Sequence, residues 1–203
     1  SPEEGGWGIL WNPKYRGKTA MLNDPQVVIG TALKYLGYSL NDSDPNALAR
    51  AEAMLLAQKP LLAGYLDTIT IRDRMISGEL WAAQLYSGDA LFAAERNRQV
   101  AYLIPEEGAE MWVDSFCLTR DALHQREAEA FVNFVLRPEV NAAIVNELWY
   151  ATANAAARQS INPEILADSN VYPGEEIAPR LELWRDIKER ADQDNRIWAR
   201  LQR

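Results

Sequence analysis

The stretch Trp112-Val113-Asp114 places an indole and a carboxylate two residues apart. On a strand that spacing puts both side chains on one face. A carboxylate beside an aromatic face is a poor partner for an anion and a good one for an ammonium group. The cation gains an ion pair and a cation–π contact of about 0.5–2 kcal/mol. The plainer reading is a core tryptophan beside a strand-end aspartate. Two strand-to-helix junctions also end in a carboxylate, Asn23-Asp24-Pro25 and Ser87-Gly88-Asp89. Ligands of open α/β sheets bind beyond the carboxyl ends of the strands, so Asp24 and Asp89 stand where ligands go. Either is equally at home as a helix N-cap, which needs no ligand and contributes about 0.5–2 kcal/mol over alanine. Tyr86, just before Ser87-Gly88-Asp89, and Tyr150, in Leu148-Trp149-Tyr150-Ala151, are further aromatics near irregular segments. With seven Trp and eight Tyr in the chain, most such rings must be packing.

Other chemistries are poorly served. The single cysteine, Cys117, and the single histidine, His124, allow neither an intrachain disulfide nor a Cys/His metal site. Any His-dependent catalytic unit would have to pass through His124, which sits in the polar stretch Leu123-His124-Gln125-Arg126 that opens a helix. Neither a metal nor an organic cofactor is expected. The 203 residues carry a net charge of −8 with no basic cluster, which argues against nucleic acid as a partner and favours cationic ligands. No apolar run is long enough to span a bilayer. The start, Ser1-Pro2-Glu3-Glu4-Gly5-Gly6, has neither the basic nor the apolar region of a targeting peptide, and reads as the middle of a longer protein.

The elements that must position these residues are legible from caps and periodicity. Lys18 to Leu22 reads as a strand ending at Asn23-Asp24-Pro25, where Asp before Pro starts a helix that Gly37 stops. Asp44-Pro45 starts a second helix, with Leu48, Ala51, Leu55 and Leu56 on one stripe and Lys59-Pro60 at its end. Thr68 to Ile71 fits a strand or an extended lead-in to a short helix. Strands are expected at 81–86, 100–105 and 112–118. Helices are expected at 90 onward, 127–136, 138–148 and about 179–201. Strands alternating with helices indicate an α/β sheet covered on both faces. Gly108-Ala109-Glu110 and Tyr172-Pro173-Gly174 are the expected crossings between lobes.

Several stretches together resemble a known family. Trp11-Asn12-Pro13-Lys14-Tyr15-Arg16-Gly17-Lys18 is similar to the opening of the second lobe of bacterial polyamine-binding proteins, the spermidine/putrescine-binding subunits of ABC importers. Leu22-Asn23-Asp24-Pro25, Leu33 to Ser39, Tyr86-Ser87-Gly88-Asp89, Phe134 to Val140 and Trp149 to Ala157 agree in order and spacing. The resemblance covers nearly the whole chain. It implies a periplasmic-binding-protein type II-like fold of three-layer αβα lobes, here the second lobe plus part of the first. The expected division is 1–112 for the second lobe, 113–161 for a piece of the first, and 162–203 for a helical return to the second. An N-terminal lobe that such proteins carry is expected to precede this chain.

The resemblance also implies a function without catalysis: two lobes closing on a polyamine for delivery to an inner-membrane ABC permease. The protein would be a monomer, periplasmic or lipid-anchored. Trp112 and Tyr86 would stack on the methylene chain, Asp114 and Asp89 would anchor ammonium groups, Tyr150 would add a wall, and Asp24 would be a carboxylate of the second lobe. Val27 stands where the family frequently has Glu, and Arg185 aligns with a ligand-contacting Gln. That pair of changes would suit a short diamine or a zwitterion such as an ω-amino acid. The alternatives are a carboxylate-pair enzyme working through Asp114 and Asp89, and a non-catalytic interaction module whose aromatics are core.

Overall fold

The computed structural model describes residues 5–185 and 188–203. The chain divides into two compact units, Ser1–Trp112 with Glu175–Arg203, and Val113–Gly174.

The first unit is organised by strand β1, Thr19–Leu22, all four of whose residues are buried. A strand buried on both faces needs cover on both. Met21 enters a cluster with Leu10, Ile29, Leu33, Leu48, Leu55, Ile197 and Leu201, whereas its neighbours Ala20 and Leu22 enter another with Val27, Ile71 and Leu80. The two-residue alternation of a strand therefore splits the core into two layers around one sheet. That sheet is parallel throughout, in the order β2 (Gly64–Leu66), β1, β3 (Ala82–Ala83).

Each of the three strands runs on into the N-terminus of a helix. After β1, Asp24 caps α1, Pro25–Tyr35, by accepting from the backbone N–H groups of Gln26 (3.0 Å) and Val27 (3.1 Å), with Pro25 at the first helical position. Helix α2, Pro45–Gln58, starts the same way on Asp44. After β2, Asp67 caps α3, Thr68–Ile76, accepting from the Thr70 backbone N–H (3.0 Å) and the Thr70 hydroxyl (2.6 Å). These bonds hold the Asp67 carboxyl below its ordinary pKa, and they settle the β-branched run Thr68–Ile71 as helix. After β3, helix α4 spans Ser87–Arg96.

The expected strand at 81–86 pairs only at Ala82–Ala83, because a side chain takes over the ladder: the Leu22 N–H donates to Gln84 Oε1 at 3.3 Å. Ser87-Gly88-Asp89 is the first turn of α4 and not the close of a strand. Neither 100–105 nor 112–118 is a strand. An apolar run becomes a strand only where a neighbour accepts its backbone groups. The expected helix at 179–201 is three elements: a 3-10 turn at Ala178–Arg180, a strand β5 at Leu181–Leu183, and helix α8 at Lys188–Leu201; residues 186–187 lie outside the described residues. Strand β5 pairs in parallel with β4, Ala109–Met111, in the register Glu110 to Glu182.

The second unit holds α5 (Gln125–Val135), α6 (Pro138–Leu148), a 3-10 segment at Ala155–Ser160 and α7 (Pro163–Ala167). Its small core is Ala142, Val145, Ala157, Ile161, Ile165 and Val171. The Asn162 N–H donates to Asn146 Oδ1 at 2.8 Å, tying 161–171 to α6. That packing keeps 161–171 within the unit Val113–Gly174.

Gly108 sets the approach of β4 to β5. Its φ is +88°, and a Cβ there would lie 2.0 Å from the Arg180 carbonyl oxygen. Gly78 has a similar φ of +74° with open space where a Cβ would go. Gly108→Ala is expected to lower stability by about 1–3 kcal/mol or more and Gly78→Ala by about 1 kcal/mol, read from urea unfolding midpoints. Equal costs at the two positions would refute the steric role of Gly108.

Candidate functional site

The first unit contains a cavity of about 360 Å³, walled by Trp7, Gln84, Tyr86, Tyr102, Glu110 and Trp112 among others. Tyr86 is the residue before α4, held in an extended conformation by the turn from β3. Trp112 follows directly on β4 and is 38% exposed. The two rings meet edge to face, centroids 5.0 Å apart and planes at 64°. Gln84 forms a buried polar strut: its Nε2 donates to Thr31 Oγ1 at 2.5 Å, and Thr31 Oγ1 donates to the Val27 carbonyl at 2.9 Å. The Trp7 indole N–H donates to the Gly108 carbonyl at 2.8 Å, which fixes a further ring at the lead-in to β4.

Glu110 is the carboxylate of this cavity. It stands in the middle of β4, and Trp184 Nε1 donates to its Oε2 at 2.5 Å. Burial raises its pKa and the nearby Asp24 carboxylate raises it further, while the Trp184 bond works the other way. Tyr102 is pushed up to about 12 by burial, with the Glu110 charge adding to it. Glu110 lies in Gly108-Ala109-Glu110, which by sequence alone has the character of a crossing and not of a site. The two-residue spacing applied backward from Trp112 would have found it, since Glu110 and Trp112 line the same cavity.

The expected site residues are distributed as follows. Trp112 and Tyr86 come together. Asp24 is the N-cap of α1 and lies close enough to Glu110 to act on it electrostatically. Asp89, in the first turn of α4, meets Arg72 Nη1 at 3.3 Å, each side chain being 22% exposed. The Arg72 guanidinium also lies 4.7 Å from the centre of the Phe92 ring. Asp114 and Tyr150 belong to the second unit, the former exposed and the latter half-buried. Because 112–114 is not a strand, the same-face argument that linked Trp112 to Asp114 does not apply. Arg185 is exposed, and its backbone N–H donates to Asn41 Oδ1 at 2.9 Å. Val27 is buried against Leu22 and Ile71.

Residues 6–172 match the family of bacterial extracellular solute-binding proteins. The chain belongs to that family. A putrescine/cadaverine-binding protein of Pseudomonas aeruginosa is 31% identical over 206 residues, covering 96% of this chain and 58% of the relative. The spermidine/putrescine-binding periplasmic protein of Escherichia coli is 30% identical over 181 residues, covering 89% and 52%. A solved structure described as a spermidine/putrescine ABC transporter of Listeria monocytogenes superposes with a TM-score of 0.90 at 27% identity, over 98% of this chain and 61% of that one. The TpPotD lipoprotein of Treponema pallidum gives 0.81 at 25% identity. The chain thus has the α/β fold of periplasmic binding proteins and spans about 52–61% of the length of these four proteins. Among the described residues no helix is long and apolar enough to cross a membrane, and no three His, Cys, Asp or Glu gather as metal ligands.

The perturbed Glu110 makes a solution prediction for this member of the solute-binding family. A carboxyl whose folded pKa lies above its unfolded value of 4.5 binds its proton more tightly when folded. Its stabilising share is full below the unfolded pKa and is lost as pH rises through the folded pKa. Glu110→Gln should therefore gain stability relative to wild type as pH rises from about 4 to 7. Urea unfolding of both proteins at several pH values reads the difference, and a difference independent of pH would refute the assignment.

Proposed function

We propose that the whole protein is the solute-binding component of an ABC importer and that its ligand is a polyamine of the putrescine or spermidine kind. The observation that carries this reading is the cavity, where the Trp112–Tyr86 ring pair and the Glu110 carboxylate occupy one wall system in an acidic protein. Methylene groups gain from aromatic surface, and an ammonium gains from a ring face and a carboxylate in a partly dry space. The relatives named for putrescine, cadaverine and spermidine support the same class of ligand. The family is one of solute-binding proteins, and the proposed role has no catalytic step.

In this proposal the unit Ser1–Trp112 with Glu175–Arg203 is the second lobe, and Val113–Gly174 belongs with the remainder of the protein to the first. The protein acts outside the cytoplasm, in the periplasm or on a lipid anchor, as a monomer that hands ligand to an inner-membrane permease. Ligand binding favours a closed state, which the permease reads. On the resemblance, Asp114 is an ammonium anchor, Tyr150 a further wall, and Asp89 a charge at the edge of the α4 N-terminus whose pairing with Arg72 tempers its reach.

Titration calorimetry on the full-length protein tests this with putrescine, spermidine, agmatine and γ-aminobutyrate. Micromolar or tighter binding of a diamine or triamine, and much weaker binding of the amino acid, is expected. Preference for γ-aminobutyrate would contradict the ligand class, and silence across the panel would contradict the function. Asp114→Asn is expected to weaken diamine binding by about 30-fold or more, the scale of removing one partner from a buried charge pair.

A further inference from the structure

Glu110 is a charged group on the wall of an aromatic cavity, and its surroundings hold it without neutralising it. One oxygen, Oε2, is fixed by the Trp184 indole N–H at 2.5 Å. Among the described residues Oε1 has no hydrogen-bond partner, and no Lys or Arg comes within ion-pair distance of the carboxylate. The cation that shares its surroundings is Lys34: both residues line a narrow gap of about 10 Å³ together with Val27, Gly30 and Trp184. Lys34 is already committed, with its Nζ 2.6 Å from Glu182 Oε1. Glu182, the register partner of Glu110 on β5, is engaged in turn by Lys34 and by the Ser39 hydroxyl. Asp24 adds a second negative charge near Glu110.

The indole that fixes Glu110 is itself held tightly. A Cβ at Gly30 would lie 2.5 Å from Trp184 Cη2, so the ring packs directly on the α1 backbone. The carboxylate is thus oriented by a rigid donor, and Glu110 lines one cavity with Trp112 and Tyr86. A half-buried carboxylate with no cationic partner carries part of the cost of leaving water, and a cation from outside offsets it.

We infer that Glu110 is a cation anchor of the unit-one cavity, its Oε1 accepting from a ligand ammonium group, and that it helps set the preference for ligands with an amine at each end. The inference rests on the amine-binding reading of this cavity and deepens it, because no residue of the resemblance-based set supplies this contact. Trp184 is the positioning residue: it touches the carboxylate and not the ligand.

The test is calorimetry on the full-length protein and its Glu110→Gln and Glu110→Asp variants, with cadaverine and spermidine as probes. Gln keeps an acceptor for the Trp184 indole, so the melting temperature without ligand should be little reduced. Binding of both probes by E110Q should be about 10- to 100-fold weaker, the scale of a lost hydrogen bond to a charged group. E110D keeps the charge and should bind more tightly than E110Q. A structural role alone would lower the melting temperature of both variants and leave their affinities alike. Repeating the wild-type titration near pH 5.5 in two buffers of different ionisation enthalpy should show proton release on binding, smaller in E110Q. The groups facing Glu110 in that experiment are Asp24, Tyr102, Trp184, Lys34 and Glu182. Wild-type binding with unchanged affinity in folded E110Q overturns the inference and leaves the amine-binding reading intact. A wild-type protein that binds neither probe overturns both.

Discussion

Burial of β1 on both faces is the constraint on which the first unit depends. Met21 and its neighbours Ala20 and Leu22 feed separate apolar layers, so helices must cover both sides of the sheet. Once the sheet is parallel, every strand has to be followed by a crossover, and the carboxyl ends of β1, β2 and β3 all run toward helix N-termini. Asp24, Asp67 and Tyr86 occupy those junctions. Two of them are spent as caps, which is what the backbone N–H groups of a first helical turn demand. The cavity forms beside the third, where β3 pairs for only two residues and Gln84 substitutes for the next rung.

The second structural decision is the short parallel pair of β4 and β5. It brings the returning segment 181–184 against 109–111 and so places Trp184 on Glu110. Gly108 makes the approach possible and Gly30 makes room for the indole. A charge in this position is costly in proportion to its dryness, and a bound cation removes that cost. The same low polarity that raises the pKa of Glu110 and Tyr102 strengthens any contact to a ligand ammonium. An aromatic wall without the carboxylate would bind hydrocarbon, and a carboxylate without the wall would be screened by water.

How much of this is legible in the sequence follows from how local each signal is. The Asp24-Pro25 and Asp44-Pro45 starts and the Gly37 stop are read correctly, because a cap is settled within a few residues. Leu48, Ala51 and Leu55 of the α2 stripe lie in the core for the same reason, whereas Leu56, expected beside them, is 44% exposed. Strands fare worse: 100–105 and 112–118 have the composition, yet a strand exists only where another backbone accepts it. Leu181–Leu183 is the converse, a strand inside a stretch whose charge pattern suggests helix, made by pairing with residues some seventy positions earlier in the chain. The site divides along the same line. Trp112, Tyr86 and Asp24 stand out by type and by the strand-to-helix junctions. Glu110 is marked locally only by its two-residue spacing from Trp112, and its character comes from Trp184 and Asp24, neither of which is near it in sequence. The pairing of Asp89 with Arg72 is hidden likewise, since it joins two different helices.

The central claim is that the aromatic and carboxylate walls of the first unit receive a linear amine. A crystal structure of the full-length protein grown with cadaverine tests it most directly. The account predicts a methylene chain in contact with the Trp112 and Tyr86 rings and an ammonium nitrogen within hydrogen-bond distance of Glu110 Oε1. Cadaverine bound elsewhere, with Glu110 touching only Trp184, would contradict it.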